Sequence, residues 1–394
     1  MPQVFKPIKY GMRSDWLSLG ALRVCEVLVN AGFRAYIVGG AVRDAMLAIS
    51  PKDFDIVSDA TASQIMRLFP KAIQMDAHFS YVMIKVGSEY FEVTTFRMIS
   101  SDVELYRHSP SLPGTMAEDA VQRDFTINAL YYDPISQEVI DWHGGIPDLR
   151  EKIIRPIGNP VLRFSENPMS MLRAIRFKHM LGFSISTPAS AATVKLASMI
   201  RNVSPGRLVA ELVRQMLSGK SLFCLREICR ANLHTEILPR LARDLGNEND
   251  TTFLMQALES VDESVSEGVA MSTGFLFALI LWPQVREKWS YYRASDDSAN
   301  GAMSRAGQTI IASQGALLPL GSQVDQDMQN IWATQPYFEE MEARSSNDLL
   351  RHPRFRAGFN LLQLRCESGE LEKKVGTWWA DLLRGANVSD GIEK

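Results

Sequence analysis

Apolar residues follow two different periods near the start of the chain. Helical spacing over 15–31 predicts a helix that ends at Gly32, and the compact apolar run AYIV at 35–38 predicts a strand. This strand leads directly into Gly39-Gly40, after which the segment AVRDAMLAI predicts a second helix. A strand, a glycine pair and a helix therefore follow one another without a linker.

The strand pattern continues through residues 53–96. DFDIV at 53–57 predicts a strand, Thr61 is placed to cap a helix over 62–69, and Gly87-Ser88 indicates a hairpin. Further strand-like runs lie at 71–75, 80–86 and 89–96. Residues 98–117 are polar and proline-containing, so we expect a mobile loop there. The first third is predicted to be α+β, a mixed sheet with flanking helices.

From Phe164 onward the apolar spacing is almost entirely helical. Breaks are expected near 184–187, 202–206 and 244–251, with a weak Ser/Asp/Gly-rich stretch at 294–307. The charge-free segment 268–285 is at the lower length limit for a membrane span. We expect it to form a buried core helix that ends before Pro283, because proline disrupts a helix interior.

Composition and charge exclude several classes of protein. Of 394 residues, 46% are hydrophobic and 22% charged, which excludes a wholly disordered, collagen-like or multi-span membrane chain. The formal net charge is −3, so any nucleic acid must bind a local patch. No apolar signal segment opens the chain, and no membrane partner is expected. The cysteines show no zinc-site spacing and are expected to be buried free thiols in a reducing cytoplasm: Cys25, Cys224, Cys229 and Cys366.

Asp53 and Asp55 are the first candidates for chemistry. Residues i and i+2 of a strand point to the same side, so the two carboxylates converge. Converging carboxylates repel unless a cation neutralises them, and Mg²⁺ is typically held by few carboxylates together with substrate phosphates. Taken alone, the D-x-D pattern is more often a pair of solvated surface aspartates.

The preceding strand–Gly39-Gly40–helix segment gives the aspartates a context. Free backbone N–H groups at a helix start bind anions, and glycine permits close approach of a phosphate. Arg43 follows early in the same helix and can add a charge-assisted contact. A phosphate site beside a metal-binding carboxylate pair favours phosphoryl or nucleotidyl transfer. The alternative is an ordinary Gly-Gly turn with a surface arginine.

Two later segments carry further charged candidates. Within 118–130, which we expect to be a compact helical run, Asp124 is a candidate third metal carboxylate and Arg123 a candidate phosphate ligand; a surface ion pair is the alternative. Arg173 and Arg176 are three residues apart and share a helix face. Their spacing is equally compatible with phosphate ligands and with interdomain salt bridges.

An ordered series of motifs resembles a known family. IVGGAVRDAML, KDFDIV, FEVTTFR, RDFTINALYYDP and ENPMSMLRAIRF, spread over about 36–183, are similar to the motifs of the class II nucleotidyltransferases. These are the bacterial poly(A) polymerases and the CCA-adding enzymes. The resemblance implies template-independent addition of nucleotides, most simply AMP from ATP, to an RNA 3′ end with Mg²⁺ and release of pyrophosphate.

The same resemblance implies an architecture and a set of site residues. It divides the chain into an N-terminal helical segment (1–30), a catalytic head (31–150), a helical neck with nucleotide and RNA contacts (151–220) and a helical, RNA-binding body (221–394). The catalytic residues would be Asp53, Asp55 and Asp124, with the first two holding the metal. Nucleotide contacts would come from Gly39, Gly40, Arg43, Arg123, Asn128, Asn167, Arg173 and Arg176.

Segments beyond the head distinguish the branches of the family. GFLFALILWP, HPRFRAGFNLLQLR and Trp378-Trp379 resemble the body of bacterial poly(A) polymerases and favour that branch, with a CCA-adding enzyme as the alternative. The basic C-terminal extension common in those polymerases is absent after WWADLL. We therefore expect weaker sequence-independent RNA binding.

Departures from the family motifs concentrate at the base-reading positions. Gln122 replaces the first arginine of R-R-D-F-T, while Asn167 and Ser170 replace the Asp and Arg of E-D-x-x-R. DAHFS replaces a basic segment, and its His78 is more simply a surface or packed histidine than a base-reading group. These changes predict relaxed choice among NTPs, or a degenerate paralogue that binds RNA without catalysis. Neither the oligomeric state nor the natural RNA follows from the sequence.

Overall fold

The computed structural model describes residues 1–6, 12, 16–75, 81–98, 114–246, 252–295, 298–341 and 349–389. The chain divides into two compact units. The first comprises Met1–Ser170 with Gly182–Ala192, and the second comprises Met171–Leu181 with Thr193–Lys394. The first unit holds the sheet and the second is helical, as expected for an α+β head followed by a helical body. The finer division into four segments stays a prediction.

An eight-stranded mixed sheet forms the first unit, with a separate two-stranded sheet beside it. The strands are β1 (Gln3–Phe5), β2 (Ala35–Val38), β3 (Asp55–Ser58), β4 (Ile73–Gln74), β5 (Tyr81–Val86), β6 (Glu89–Thr95), β7 (Leu130–Asp133), β8 (Glu138–Asp141), β9 (Ile153–Ile154) and β10 (Ser184–Ile185). The sheet order is β1-β8-β7-β2-β3-β6-β5-β4, in which β3 and β6 are parallel and the other neighbours are antiparallel. The predicted β5–β6 hairpin is confirmed, whereas β1, β7 and β8 were not predicted.

Short helices surround this sheet, and side chains cap several of them. Ser18 accepts hydrogen bonds at the start of α1, and Thr61 and Gln64 form a reciprocal capping box at the start of α3, where the sequence predicted a cap. The helices are α1 (Leu19–Asn30), α2 (Gly40–Met46), α3 (Ala62–Leu68), α4 (Met116–Val121), α5 (Gly145–Glu151) and α6 (Pro160–Glu166). Residues 118–130 are not one helical run: α4 ends at Val121, a 3₁₀ turn covers Thr126–Asn128, and β7 begins at Leu130.

One face of the sheet carries the core that supports the candidate site. Val38, Val57, Phe96, Ala120 and Tyr131 form a buried cluster from β2, β3, α4, β7 and the residue after β6. This cluster fixes α4 against the strand ends from which the polar candidates project.

The second unit is built from helices joined by short connections. They are α7 (Met169–Leu181, which begins in the first unit), α8 (Thr187–Lys195, which also begins there), α9 (Pro205–Met216), α10 (Ser221–Arg230), α11 (Leu241–Asp244), α12 (Thr252–Ser266), α13 (Thr273–Arg293), α14 (Ala299–Gly315), α15 (Ser322–Ala333), α16 (Gln335–Glu340), α17 (Phe355–Glu367) and α18 (Lys373–Ser389).

Two predicted helix boundaries in this unit are wrong. Helix α13 does not end before Pro283 but continues through it for ten further residues, because Trp282 and Trp289 on either side are buried and hold both halves in the core. Tertiary packing therefore outweighs the lost backbone hydrogen bond. The weak stretch at 294–307 is mostly helical: Ser298 caps α14, and Ala302 and Ala306 are buried in its first turns.

A buried arginine ties helices of the second unit together. Arg365 on α17 donates to Glu339 on α16 at 2.5 Å, to Glu370 at 2.8 Å and to the Gln335 side chain at 3.0 Å. Its guanidinium also lies over the Trp282 ring, 4.8 Å from the centroid. Burying a guanidinium is tolerated when its donors are satisfied in this way.

Two expectations concern the environment of the chain. Within the described ranges, no helix is long and apolar enough to cross a membrane. The four cysteines are free, three of them buried and Cys229 half-buried, and burial raises the pKa of the Cys25 thiol to about 12. The prediction of buried free thiols is thus confirmed for Cys25, Cys224 and Cys366, while the cytoplasmic location stays a prediction.

Candidate active site

Asp53 and Asp55 lie on one side of the chain where it enters β3. Phe54, between them, is 7% exposed and packs against Trp16 with a ring-centroid distance of 5.9 Å, whereas both aspartates are exposed. Asp55 begins the strand opposite Val38 of β2. The predicted convergence of the two carboxylates thus agrees with the alternation of burial at 53–56.

Glu92 is a third carboxylate that sequence reasoning missed. It stands opposite Asp55 in the parallel pairing of β3 and β6, so both side chains project from the same face of the sheet. Partial burial raises the pKa of Glu92, and the neighbouring Asp55 charge raises it further, while Arg97 opposes the shift. An acidic residue between Phe91 and Val93 in an apolar strand was the signal that could have identified it.

Gly39 forms the turn between β2 and α2 beside these carboxylates. Its φ of 77° lies in the left-handed region that favours glycine. A Cβ atom at this position would lie 3.6 Å from Nη1 of Arg123 and 4.0 Å from Oδ2 of Asp55. The turn therefore runs between a cationic and an anionic group, the arrangement that a bound phosphate and its cation require.

Arg43, Asn128 and Asp124 form a hydrogen-bonded chain next to this turn. Arg43 donates from Nη1 to the Asn128 side-chain oxygen at 2.7 Å, and Asn128 donates from Nδ2 to Oδ1 of Asp124 at 3.1 Å. The same Asp124 oxygen accepts the Phe125 backbone N–H at 2.8 Å. Arg43 is buried and also pairs with Asp44 at 2.7 Å. Three predicted site residues are thus brought together, and Gly40 lies alongside, with its Cβ position 3.6 Å from Arg43.

Arg123 is held by a buried acidic residue that sequence reasoning also missed. It pairs with Asp119, one helical turn earlier, rather than with the adjacent Asp124. Arg123, Arg97 and the Tyr131 hydroxyl surround the Asp119 carboxylate and outweigh the effect of burial, so the pKa of Asp119 lies below its usual range. Asp119 therefore stays ionised and keeps Arg123 in place.

The altered base-reading positions lie close to α6. Asn167 is the C-cap of α6, and its backbone carbonyl accepts the Ser170 N–H at 3.0 Å. Ser170 is 5% exposed. Gln122 turns back to its own helix and donates to the Glu118 carbonyl at 3.3 Å. Arg163 of α6 donates to the Arg123 carbonyl at 2.7 Å, which ties this segment to the 119–124 region.

Arg173 and Arg176 belong to the second unit. Arg176 forms a salt bridge with the buried Glu211 of α9 at 2.7 Å, so this pair is made inside the helical unit. The guanidinium of Arg173 lies over the Phe177 ring, 5.8 Å from its centroid. The nucleotide-binding role of both arginines stays a prediction. The segment around His78 falls outside the described residues.

The acidic side chains on the paired strands β3 and β6 suit a hard divalent cation. Asp53, Asp55 and Glu92 offer carboxylate oxygens, which are the ligands that Mg²⁺ prefers. Partial burial and, next to it, the Asp55 charge raise the pKa of Glu92, and a cation would relieve both effects. In the described part of the chain, however, no three acidic, histidine or cysteine side chains converge closely enough to form a complete metal cluster.

Three segments of the chain match described protein families. Residues 35–155 match the poly A polymerase head domain, 182–245 match the probable RNA- and SrmB-binding site of polymerase A, and 295–389 match the polymerase A arginine-rich C-terminus.

Individual relatives and solved structures agree. Poly(A) polymerase I of Haemophilus influenzae is 31% identical over 392 residues, which covers 95% of this chain and 87% of the relative. The CCA-adding enzyme of Bacillus subtilis is 35% identical over 218 residues, or 55% of each chain. A tRNA nucleotidyltransferase solved with a primer tRNA and an incoming ATP analogue superposes with a TM-score of 0.64 at 23% identity, covering 93% of this chain and 99% of that one. The structural likeness establishes the fold.

Proposed function

Because the chain belongs to the class II nucleotidyltransferase family of bacterial poly(A) polymerases and CCA-adding enzymes, and is an RNA nucleotidyltransferase, we propose that it adds AMP from ATP to RNA 3′ ends without a template. Mg²⁺ would be the cofactor, with Asp53 and Asp55 as its ligands.

The match of residues 295–389 to the polymerase A C-terminus is the observation that favours the poly(A) polymerase branch over the CCA-adding branch. This segment lies far from the head motifs that both branches share. Together with the near full-length likeness to poly(A) polymerase I, it supports polymer addition over completion of a CCA end.

The proposed reaction is an in-line displacement. The oxygen of the RNA 3′-hydroxyl forms a bond to the α-phosphorus of ATP, the bond from that phosphorus to the pyrophosphate oxygen breaks, and the hydroxyl proton passes to solvent. Bound Mg²⁺ would supply activation of the hydroxyl and neutralisation of the leaving pyrophosphate. Asp53 and Asp55 would hold the metal where the chain enters β3, and Glu92, which stands opposite Asp55 in the pairing of β3 with β6, would add a further carboxylate.

The groups around Gly39 are placed to hold the triphosphate. The turn lies beside Arg123, and Arg43 is fixed by Asn128. In this proposal Asp124 acts by orienting Asn128 through the 3.1 Å hydrogen bond between them.

Base choice is proposed to be relaxed. A base is selected strongly when a charged, positioned pair reads its edge, because the wrong base leaves those groups unpaired. Asn167 is neutral and presents either a donor or an acceptor, and Ser170 is too short to replace an arginine. ATP would therefore be preferred only weakly over the other NTPs.

Incubation with Mg²⁺, a short labelled RNA and each NTP in turn tests this function. Lengthening by many residues with ATP supports poly(A) addition. A defined short extension that requires both CTP and ATP supports the CCA-adding alternative. Binding of RNA without any extension supports the degenerate paralogue and would refute the proposal.

A further inference from the structure

A single buried carboxylate organises the cationic side of the candidate site. Asp119, on α4, is 1% exposed, and its Oδ2 atom accepts hydrogen bonds from Nε and Nη2 of Arg123 at 3.0 and 2.9 Å and from the Tyr131 hydroxyl at 2.6 Å. Its Oδ1 atom accepts the Arg97 backbone N–H at 3.3 Å. Every one of these partners lies in the first unit.

The pairing with Asp119 uses two nitrogen atoms of the Arg123 guanidinium and leaves the third directed towards Gly39. Nε and Nη2 face Asp119, while Nη1 is the atom that lies 3.6 Å from the Cβ position of Gly39. The Tyr131 hydroxyl accepts a second bond from Nε at 3.0 Å, and the guanidinium lies 5.2 Å from the Tyr131 ring centroid. The arginine is therefore fixed on three sides and open towards Gly39.

From this geometry we infer that Asp119 is a positioning residue that aims Nη1 of Arg123 at the nucleotide phosphates. The inference rests on the proposed function, because it assigns Arg123 to the phosphates of the bound nucleotide. Asp119 touches neither the nucleotide nor the RNA 3′ end in this arrangement. It acts through Arg123.

Two opposing effects decide whether removal of the Asp119 charge strengthens or weakens nucleotide binding. Removing the Asp119 charge would increase the net positive charge that an incoming phosphate meets. It would also leave the Arg123 guanidinium, whose side chain is only 12% exposed, without the carboxylate that holds its Nε and Nη2 atoms. Because a buried charge that loses its partner turns towards another acceptor or towards solvent, Nη1 of Arg123 would no longer be held beside Gly39, so nucleotide binding weakens. Gln122 stands where the family motif has its first arginine, so Arg123 is the one arginine of this motif in the chain. Phosphate binding should therefore depend more strongly on the position of Arg123.

A double-mutant cycle tests the inference. The KM for ATP and kcat would be measured for the natural protein, Asp119→Asn, Arg123→Ala and the double variant. We expect Asp119→Asn to raise the KM for ATP about tenfold, the usual scale for a charge-assisted contact, and to change it less than about twofold when Arg123 is already alanine. An equal effect in both backgrounds, or no effect in the natural one, would overturn the inference, since a merely structural residue acts regardless of Arg123.

Tyr131→Phe is the milder companion variant. It keeps both charges, removes one donor to Asp119 and one acceptor of Arg123, and is expected to raise the KM for ATP a few-fold if the inference holds, even should Asp119→Asn fail to fold. An unchanged KM in this variant counts against the inference. Calorimetric binding of pyrophosphate with Mg²⁺ to the same variants separates the two proposals. If the protein extends no RNA, the proposed function is refuted. The same double-mutant cycle, measured as affinity for pyrophosphate, would still decide whether Asp119 acts through Arg123.

Discussion

Asp55 and Glu92 stand opposite each other on the two parallel strands of an otherwise antiparallel sheet. The two residues are 37 positions apart in the sequence. The pairing of their strands places the two carboxylates side by side, close to the turn at Gly39. Repulsion from Asp55 adds to burial in raising the pKa of Glu92. A cation held between the two carboxylates, as the proposed function requires, would relieve this repulsion.

Replacement of Glu92 tests this relationship through its pH dependence. A carboxyl with a raised pKa binds its proton more tightly in the folded than in the unfolded chain, so its ionisation destabilises the fold as the pH rises above the usual value of 4.5. Without Mg²⁺, Glu92→Gln should therefore melt a few degrees higher than the natural protein at pH 7 and show no advantage at pH 4. Melting curves across this range are the measurement. An advantage that is equal at both pH values would show that ionisation of Glu92 is not the cause.

Replacement of Asn128 tests the hydrogen-bonded chain to Asp124. Asn128→Leu removes both bonds and leaves Arg43 without its 2.7 Å acceptor in a buried setting, which should cost about 1–3 kcal/mol of stability. We expect a lower melting temperature together with a higher KM for ATP. Asn360→Leu, an exposed change on α17 of the second unit, is a control for general sensitivity to losing an asparagine. Unchanged ATP kinetics in Asn128→Leu would remove this chain from the nucleotide site.

Much of the head could be predicted from the sequence because its signals are local. Apolar runs located β2, β3, β5 and β6, and the alternation around Phe54 placed Asp53 and Asp55 on one side. Glu92 could not be found in this way, because its role depends on a parallel pairing between distant segments.

Other misses also arise from tertiary contacts. Asp119 gains its role from Tyr131 and Arg97, neither of which is adjacent in sequence. The predicted stop before Pro283 failed because buried tryptophans on both sides outweigh the local preference of proline. Short-range rules located the elements, whereas packing between them decided which side chains meet.

Base choice can be sharpened by restoring the charged pair of the family motif. The double change Asn167→Asp with Ser170→Arg should increase the preference for ATP over CTP, GTP and UTP by roughly ten- to a hundredfold, because one or two good base contacts are worth about 1–3 kcal/mol each. Incorporation of each nucleotide by both proteins is the measurement, with Asn167→Asp alone as the intermediate. Strong ATP preference in the natural protein that the double change does not increase would show that other residues read the base.

RNA affinity should depend only weakly on salt. The segment that matches the arginine-rich C-terminus carries nine Arg and Lys residues against twelve Asp and Glu residues, so it offers few phosphate contacts. Because each neutralised phosphate releases counterions, few contacts give a shallow slope of log affinity against log salt. Titrations of a short RNA at several salt concentrations measure it. A slope equivalent to about ten or more contacts would reveal a basic surface elsewhere.

The most direct test of the account compares the natural protein with Asp55→Asn in one RNA-extension experiment with ATP and Mg²⁺. Asp55 is exposed and contributes little to the core, so the variant should melt within about a degree or two of the natural protein. Glu26→Gln, an exposed acidic change on α1, is the matched control and should keep full activity. The account predicts a ladder of adenylated products from the natural protein and the control, and none from Asp55→Asn. An equal ladder from Asp55→Asn would contradict the assignment of the active site.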